Sequence, residues 1–138
     1  MVDHIDAVIE HADVIQIGTR NATQPFYLEV AKRTVENKMP ILAKRGYAQD
    51  LREEFLPLVL NIYDYGQNKG NPNIMLCLRG IRTFDRATRF TNDAGVVPVL
   101  KYENILPVVG DPSHTAGSSR YVVPHAKAFI GAGVDGLL

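Results

Sequence analysis

The sequence predicts an α/β fold in which parallel strands alternate with helices. Four apolar segments have the length of a strand, and their apolar residues are nearly continuous, which is typical of parallel strands covered on both faces. Segments with helical periodicity separate these strands. This order fits a doubly wound sheet or a (β/α) barrel. The sequence has no Gly-x-Gly-x-x-Gly motif and no Walker loop, which argues against a nucleotide-binding α/β fold.

The strands are predicted in chain order from runs of apolar residues. They are "DVIQIG" (13–18), "PILAKRG" (40–46), "NIMLCLRG" (73–80) and "LPVVGDPSH" (106–114), with "DGLL" (135–138) as the beginning of a fifth. Helices are predicted before residue 13 and over 24–38, 50–66, 84–95 and 122–133, while 97–100 reads as a short strand or a turn. In the helix over 50–66, Asp50 is the expected N-cap, Pro57 interrupts the start, and Gly66 is the expected end.

Composition indicates one globular domain within a reducing compartment. The 138 residues fit a single domain, and 46% hydrophobic with 22% charged residues is ordinary for a globular protein. Fifteen basic and fifteen acidic residues cancel, so no general affinity for nucleic acid is expected. Cys77 is the single cysteine, which excludes an internal disulfide, and no apolar run approaches the about 20 residues of a membrane helix. We therefore expect a soluble cytoplasmic protein.

Polar side chains follow four successive predicted strands. Because parallel strands joined by helical crossovers point the same way, these side chains are expected to meet at one face, where barrel enzymes build their sites. A cluster of cations suits a multiply charged anion, since arginine contacts phosphate or carboxylate in a bidentate manner. The residues concerned are Thr19 and Arg20, Lys44 and Arg45, Arg79 and Arg82, and Asp111, Ser113 and His114.

Each of these residues also has an ordinary structural interpretation. A single lysine or arginine before a turn is commonly solvated, and a single histidine such as His114 is more often hydrogen-bonded in a loop than bound to a metal. Cys77 lies within an apolar run and is expected in the core. The repetition at four strand ends is what favours a functional site.

The segments "QIGTRN", "AKRG", "GNPNIMLCLRGIRTF" and "LPVVGDPSHTAG" occur in this order between residues 16 and 117. In sequence and spacing they resemble class I 3-deoxy-D-arabino-heptulosonate 7-phosphate (DAHP) synthase, and most closely its subgroup related to 3-deoxy-manno-octulosonate 8-phosphate synthase. The resemblance runs from residue 2 to residue 138. It implies a (β/α)8 TIM barrel, here a partial barrel covering roughly strands 4 to 8, as a single domain over 1–138 truncated at both ends.

The resemblance also implies an activity and its residues. Such enzymes condense phosphoenolpyruvate with erythrose 4-phosphate in the first step of the shikimate pathway to aromatic amino acids. By residue matching, Thr19, Arg20, Lys44 and Arg79 would bind phosphoenolpyruvate, with Lys44 also catalytic. His114 would be a ligand of a divalent metal ion such as Mn, Fe, Zn or Co. A homo-oligomer is expected, because a half barrel leaves two unpaired strand edges.

Two residues depart from the family pattern, and several family segments are absent. Thr19 stands where alanine is usual, and Leu78 stands where this subgroup usually has glutamate, which removes a charge beside Arg79. No "KPRTS"-like segment for erythrose 4-phosphate is present, and of four family metal ligands His114 alone is retained. We therefore expect a fragment that is inactive by itself. The alternatives are the octulosonate synthase, or a non-catalytic half barrel that binds phosphorylated ligands.

Overall fold

A computed structural model describes residues 4–18, 24–103 and 106–138 of the chain. Strands and helices alternate through these ranges, as the sequence predicts. The strands are β1 (Ile15–Ile17), β2 (Ile41–Lys44), β3 (Ile74–Leu78), β4 (Val108–Gly110) and β5 (Gly136–Leu137). The α-helices are α1 (Ile5–Ile9), α2 (Gln24–Glu36), α3 (Leu56–Asn68), α4 (Val97–Glu103), α5 (Pro112–Ala116) and α6 (Ser119–Ala132). No helix in these ranges is long and apolar enough to cross a membrane.

The strands are hydrogen-bonded in the order β1-β2-β3-β4-β5, so each lies beside its neighbours in sequence. The recorded pairings β1/β2, β3/β4 and β4/β5 are all parallel. Ile15 is opposite Ile41, and Leu76 is opposite Val108. Parallel strands of this kind are covered by helices on their faces, which explains the continuous apolar runs of the sequence.

The chain divides into two compact units, and β3 begins in the first and ends in the second. The first unit contains residues Met1–Gly46 and Asp50–Met75, and the second contains Tyr47–Gln49 and Leu76–Leu138. The prediction of a single domain over the whole chain stays a prediction.

In the first unit, β1 and β2 pack against α2, and α2 packs against α3. Ile17 and Ile41 from the strands and Tyr27 and Val35 from α2 are all buried to 99% or more. Burial raises the pKa of the Tyr27 hydroxyl far above its ordinary value, because the ionised form would be in an apolar environment. The charged faces of both helices remain towards solvent, as the helical periodicity predicts.

The start of the segment over 50–66 follows the prediction, and its end does not. The Asp50 carboxylate accepts hydrogen bonds from the backbone N–H groups of Arg52 (2.7 Å) and Glu53 (2.8 Å) and so caps the helix, which opens with a π-helical turn over Leu51–Phe55. The helix continues to Asn68 and does not stop at Gly66. A Cβ atom at Gly66 would lie 2.4 Å from the Asn71 carbonyl oxygen, so the glycine is required for a close backbone approach.

In the second unit, the core is centred on β3, β4 and α6. Leu76, Leu78, Val108 and Phe129 are completely buried. Phe129 of α6 lies against Gly110, where a Cβ atom would be 2.6 Å from the Phe129 ring. The end of β4 is therefore fixed by an aromatic ring in the space that a larger side chain would take.

The helix predicted over 84–95 is wrong. This segment is a loop closed by an antiparallel bridge between Ile81 and Thr91, and one 3₁₀ turn over Ala94–Val96 follows it. Thr88 donates its hydroxyl to the Phe90 carbonyl at 2.8 Å. Hydroxyl side chains compete with helical backbone hydrogen bonds in this way, and here they favour the loop.

The strand or turn predicted over 97–100 is also wrong, because these residues open helix α4 (Val97–Glu103). Pro98 lies in the first turn, where a helix needs no backbone N–H from it. Val97 and Leu100, three residues apart, are both fully buried. Their spacing on one helix face explains why an apolar run of four residues is helical here.

Asp135 gives the second unit a predicted dependence on pH. Its carboxylate accepts hydrogen bonds from Lys101 Nζ (2.6 Å) and the Val108 backbone N–H (2.7 Å), and these two contacts lower its pKa below the ordinary 3.8. A carboxyl with a depressed pKa stabilises the fold above its unfolded-state pKa, and the contribution is lost as pH falls through the folded-state pKa. We expect Asp135→Asn to be destabilising in urea at neutral pH and progressively less so below about pH 4. An equal effect at neutral and acid pH would contradict this.

Candidate functional site

Lys44 and Arg45 lie at the end of β2 in the first unit. Both are buried, with 5% and 6% of their surface exposed. Arg45 is close enough to Asp50 to help lower the pKa of that carboxyl, behind the larger effect of the backbone N–H groups that cap onto it. Charged side chains are rarely buried without a partner. The end of β2 is therefore a place where two positive charges are held inside the protein. Thr19 and Arg20, predicted beside them, lie outside the described residues.

Arg79 directly follows β3 in the second unit and is buried, with 6% of its surface exposed. Its Nε and Nη1 atoms find no hydrogen-bond partner among the residues that the structure describes. The guanidinium carbon lies 4.2 Å from the centre of the Phe90 ring. A buried arginine with unused donors is costly for a protein, and an anionic ligand would satisfy them.

Charges around Arg79 differ in sign. Burial lowers the pKa of its guanidinium below the ordinary value, and the nearby positive charge of Arg89 acts in the same direction. Asp111 and Asp93 oppose this shift. Arginine stays protonated in proteins nonetheless. Arg79 and Arg89 therefore form a region where two like charges lie close, which a bound anion would stabilise.

Gly80 turns the chain immediately after Arg79. Its φ of +82° is in the region that favours glycine. The Gly80 N–H donates to the Asp93 carboxylate at 2.9 Å, and Asp93 is itself buried. This bond fixes the backbone beside Arg79, so Asp93 supports the site although the sequence analysis gave it no role. Nothing in the spacing of the sequence singles it out.

His114 lies in α5, the short helix that follows β4. Its Nδ1 atom is 2.7 Å from the carboxylate of Asp111, which is 1% exposed, and the His114 side chain is 38% exposed. A carboxylate can accept but not donate, so Nδ1 carries the proton of this bond, and in the neutral form of the ring the lone pair is on Nε2. Asp111 also accepts from the backbone N–H of His114 at 3.0 Å. The sequence pointed to Asp111 at this strand end without assigning it this orienting role.

This arrangement fits His114 as one metal ligand. Metal-binding histidines commonly donate their other ring N–H to a carboxylate, which fixes the ring and the tautomer. Within residues 4–18, 24–103 and 106–138, however, no group of three or more His, Cys, Asp or Glu side chains could hold an ion. Cys77 is buried, as predicted for a core residue. The described residues thus supply a single oriented ligand and not a complete metal site.

Replacing Asp111 by asparagine tests this orientation. We expect Asp111→Asn to weaken divalent-metal binding at His114 by about 10- to 100-fold, because the ring loses the acceptor that fixes its tautomer. Broadening of the His114 ring resonances by Mn²⁺ in NMR spectra measures the affinity, and ring ¹⁵N shifts report the tautomer. Asp85→Asn, at an exposed carboxyl of the same unit, is the control. Unchanged affinity and tautomer in Asp111→Asn would refute the role.

An open cavity of about 330 Å³ lies in the loop after β3. Three arginines and one aspartate give its lining a net positive charge. The lining consists of Arg82, Thr83, Asp85, Arg86, Thr88, Arg89 and Phe90. Its size and charge suit a small anion.

Comparison with known proteins identifies the family. The sequence profile described as the DAHP synthetase I family matches residues 1–138. The chain belongs to this family. A phospho-2-dehydro-3-deoxyheptonate aldolase of Thermotoga maritima is 45% identical over 136 residues, which are 99% of this chain and 38% of that protein. The chain thus spans well under half of this DAHP synthase.

Solved DAHP synthase structures resemble this chain in fold. The crystal structure of the Thermotoga maritima enzyme superimposes with a TM-score of 0.85 at 41% identity, covering 98% of this chain and 38% of the other. A truncated form of DAHP synthase from the same organism gives 0.86 at 40% identity, covering 99% and 49%. These structures are TIM barrels, so the parallel strands and helices described above are part of such a barrel, as the sequence resemblance implies.

Proposed function

We propose that this chain forms part of the substrate site of a DAHP synthase that condenses phosphoenolpyruvate with erythrose 4-phosphate. The observation that carries the proposal is Arg79, a buried guanidinium whose Nε and Nη1 donors have no partner in the described residues. It follows β3 directly, and the carboxyl ends of barrel strands are where such enzymes bind substrates. In the reaction, a carbon–carbon bond joins the methylene carbon of phosphoenolpyruvate to the aldehyde carbon, water adds to the carbon that bears the enol phosphate ester, and the bond from that carbon to the phosphate oxygen breaks to release inorganic phosphate.

Four residues are proposed to hold phosphoenolpyruvate. Arg79 binds its phosphate through charge-assisted hydrogen bonds, and Lys44 places a buried positive charge beside the reacting molecule. Arg20 and Thr19 are proposed to complete this contact. Fixed cations in a partly buried site hold the multiply charged substrate in one orientation, and they stabilise the charge of the leaving phosphate.

DAHP synthases generally use a divalent metal ion. We propose that His114 is one of its ligands here, and that the ion is Mn, Fe, Zn or Co. When bound, such an ion would polarise the aldehyde oxygen of the second substrate. The other ligands would have to come from residues outside those described, because no further group of ligands is found within them.

The wider properties of the protein follow from the same proposal. A role in the shikimate pathway, a cytoplasmic location and assembly into a homo-oligomer are each proposed on the family resemblance.

Titration with phosphoenolpyruvate tests the binding proposal. Chemical shifts of the 138-residue chain, followed in ¹H–¹⁵N spectra, should move at Arg79 and Gly80 with phosphoenolpyruvate. They should move much less with pyruvate, which lacks the phosphate. Absence of any change at millimolar phosphoenolpyruvate would contradict the proposal.

The chain is also expected to form no DAHP by itself. With both substrates and Mn²⁺ present, the coupled phosphate-release assay should remain at background, because the described residues do not supply a complete metal site. A longer chain that includes the remainder of the barrel is the positive control. Measurable product from the 138 residues would contradict the expectation.

A second candidate function is binding of phosphorylated ligands without catalysis. The cavity of about 330 Å³ favours it, since Arg82, Arg86 and Arg89 are among its lining residues and arginine suits phosphate. If this cavity is the main site, inorganic phosphate and glycerol phosphate should perturb Arg86 as strongly as phosphoenolpyruvate perturbs Arg79. Perturbation at Arg79 alone would favour the synthase site.

A further inference from the structure

Three guanidiniums of the second unit lie near two stacked aromatic rings. The rings of Tyr47 and Phe90 are stacked, with centroids 5.9 Å apart and an interplanar angle of 26°. Arg79 lies 4.2 Å and Arg89 5.6 Å from the centre of the Phe90 ring, and Arg82 lies 4.8 Å from the centre of the Tyr47 ring. We call Tyr47 and Phe90 the aromatic pair.

The Phe90 ring is the support that the structure gives the Arg79 guanidinium. A hydrogen-bonded carboxylate would occupy the donor edge of a guanidinium, but the residue beside Arg79 is Leu78, and Nε and Nη1 have no partner. A guanidinium over an aromatic face is attracted by the ring electrons and keeps its N–H groups unused. Support of this kind orients the side chain while leaving its donors for a ligand.

The backbone holds Phe90 in place, which makes the support rigid. Its N–H donates to the Thr115 carbonyl at 3.1 Å, and the next residue, Thr91, exchanges backbone hydrogen bonds with Ile81 at 2.9 and 3.0 Å. A Cβ atom at Gly80 would lie 2.8 Å from the Phe90 Cβ, so glycine allows this close approach. Phe90 is 7% exposed, whereas Phe84 in the same loop is 98% exposed.

We propose that Phe90, backed by Tyr47, is a positioning residue that holds the Arg79 guanidinium in the orientation required to bind the substrate phosphate. The identity of that substrate rests on the proposed function. The contact between ring and guanidinium does not. Phe90 acts through Arg79 and need not touch the substrate.

Three variants test the contact. Phe90→Leu removes the aromatic face while keeping an apolar side chain, Phe90→Tyr keeps the face, and Phe84→Leu is the matched control at the exposed phenylalanine. The first readout needs no ligand. Protons of the Arg79 side chain over a ring are shifted upfield by its ring current, and this shift should vanish in Phe90→Leu and persist in the other two variants.

The second readout is affinity for phosphoenolpyruvate. We expect Phe90→Leu to weaken binding about tenfold, as for the loss of a partly desolvated cation–π contact, and Phe90→Tyr and Phe84→Leu to bind within about twofold of the unmodified chain. The double variant Arg79→Met/Phe90→Leu should bind no more weakly than Arg79→Met, because the ring acts through the guanidinium.

The outcomes separate this inference from the proposed function. If the unmodified chain does not bind phosphoenolpyruvate, the proposed function fails. The ring-current shift then still tests whether the Phe90 ring contacts the Arg79 guanidinium. If Phe90→Leu binds as tightly as the unmodified chain, or keeps the shift, the positioning role is refuted. If Phe90→Leu does not fold, Tyr47→Leu, at a residue that is 37% exposed, replaces it. A several-fold loss of affinity with native stability then supports the role, and unchanged affinity refutes it.

Discussion

Replacing Arg79 by alanine is expected to weaken phosphoenolpyruvate binding by about a hundredfold or more. The substitution removes charge-assisted hydrogen bonds, each contributing about 1.5–3 kcal/mol when the donor is charged, and about 1.4 kcal/mol corresponds to a factor of ten in affinity. Arg79→Lys should lose less, because it keeps the charge but not the fork of donors. Isothermal titration calorimetry on each variant measures the dissociation constant.

A matched control exists for this substitution. Arg120 is exposed on α6 and also lies over an aromatic ring, 5.7 Å from the centre of Tyr121. Arg120→Ala removes the same charge from the protein, so it corrects for general electrostatic attraction of the anion. Equal losses in Arg79→Ala and Arg120→Ala would show that net charge, and not the buried guanidinium, determines binding.

Phe129→Ala is expected to have the largest effect on stability. Phe129 is completely buried and lies against Gly110 at the end of β4. Truncating a buried phenylalanine loses its burial and leaves a cavity, at a cost of about 3–5 kcal/mol. Because domains of this size are stabilised by only about 5–15 kcal/mol, this loss is a large part of the total. Urea unfolding followed by circular dichroism measures the change in the free energy of unfolding.

Ile130, the neighbour of Phe129 on α6, provides the control. Ile130 is 60% exposed, so Ile130→Ala should change the free energy of unfolding by no more than about 0.5 kcal/mol. Phe129→Ala should also reduce the order of the segment that follows β4, because Asp111 directly follows Gly110 and donates its N–H to the Leu78 carbonyl at 2.8 Å. Similar stabilities for Phe129→Ala and Ile130→Ala would contradict the packing described here.

Local signals in the sequence were sufficient for most of the elements. The strands β1 to β5 of the described residues lie within the segments predicted for them, since continuous apolar runs are typical of parallel strands covered on both faces. Asp50 caps a helix as predicted, and Gly133 ends α6 with a φ of +94°. These features depend on residues that are near one another in the chain, which is why pattern and propensity reveal them.

The errors came from segments whose contacts leave no pattern in the sequence. Residues 84–95 form a loop in which Ile81 pairs with Thr91 and Phe90 packs beside Tyr47 and Arg79. Gly66 lies inside α3 and does not end it, and the close approach of the Asn71 carbonyl oxygen explains why glycine is required there. Neither contact leaves a periodic signal in the sequence, so composition and spacing favoured the wrong element in both places.

Motif residues and strand periodicity are local properties, so the fold class, the family and the positions of Lys44, Arg79 and His114 at strand ends could be predicted from sequence. The tertiary structure decided how two of these side chains are held. Asp111 orients the His114 ring from three residues away, and the Phe90 ring supports Arg79 from the far side of a loop. Such supports arise when the folded chain brings side chains together and removes water from between them, which strengthens each polar contact. The proximity of Phe90 to Arg79 leaves no signal in the sequence order, and that of Asp111 to His114 leaves only a spacing of three residues.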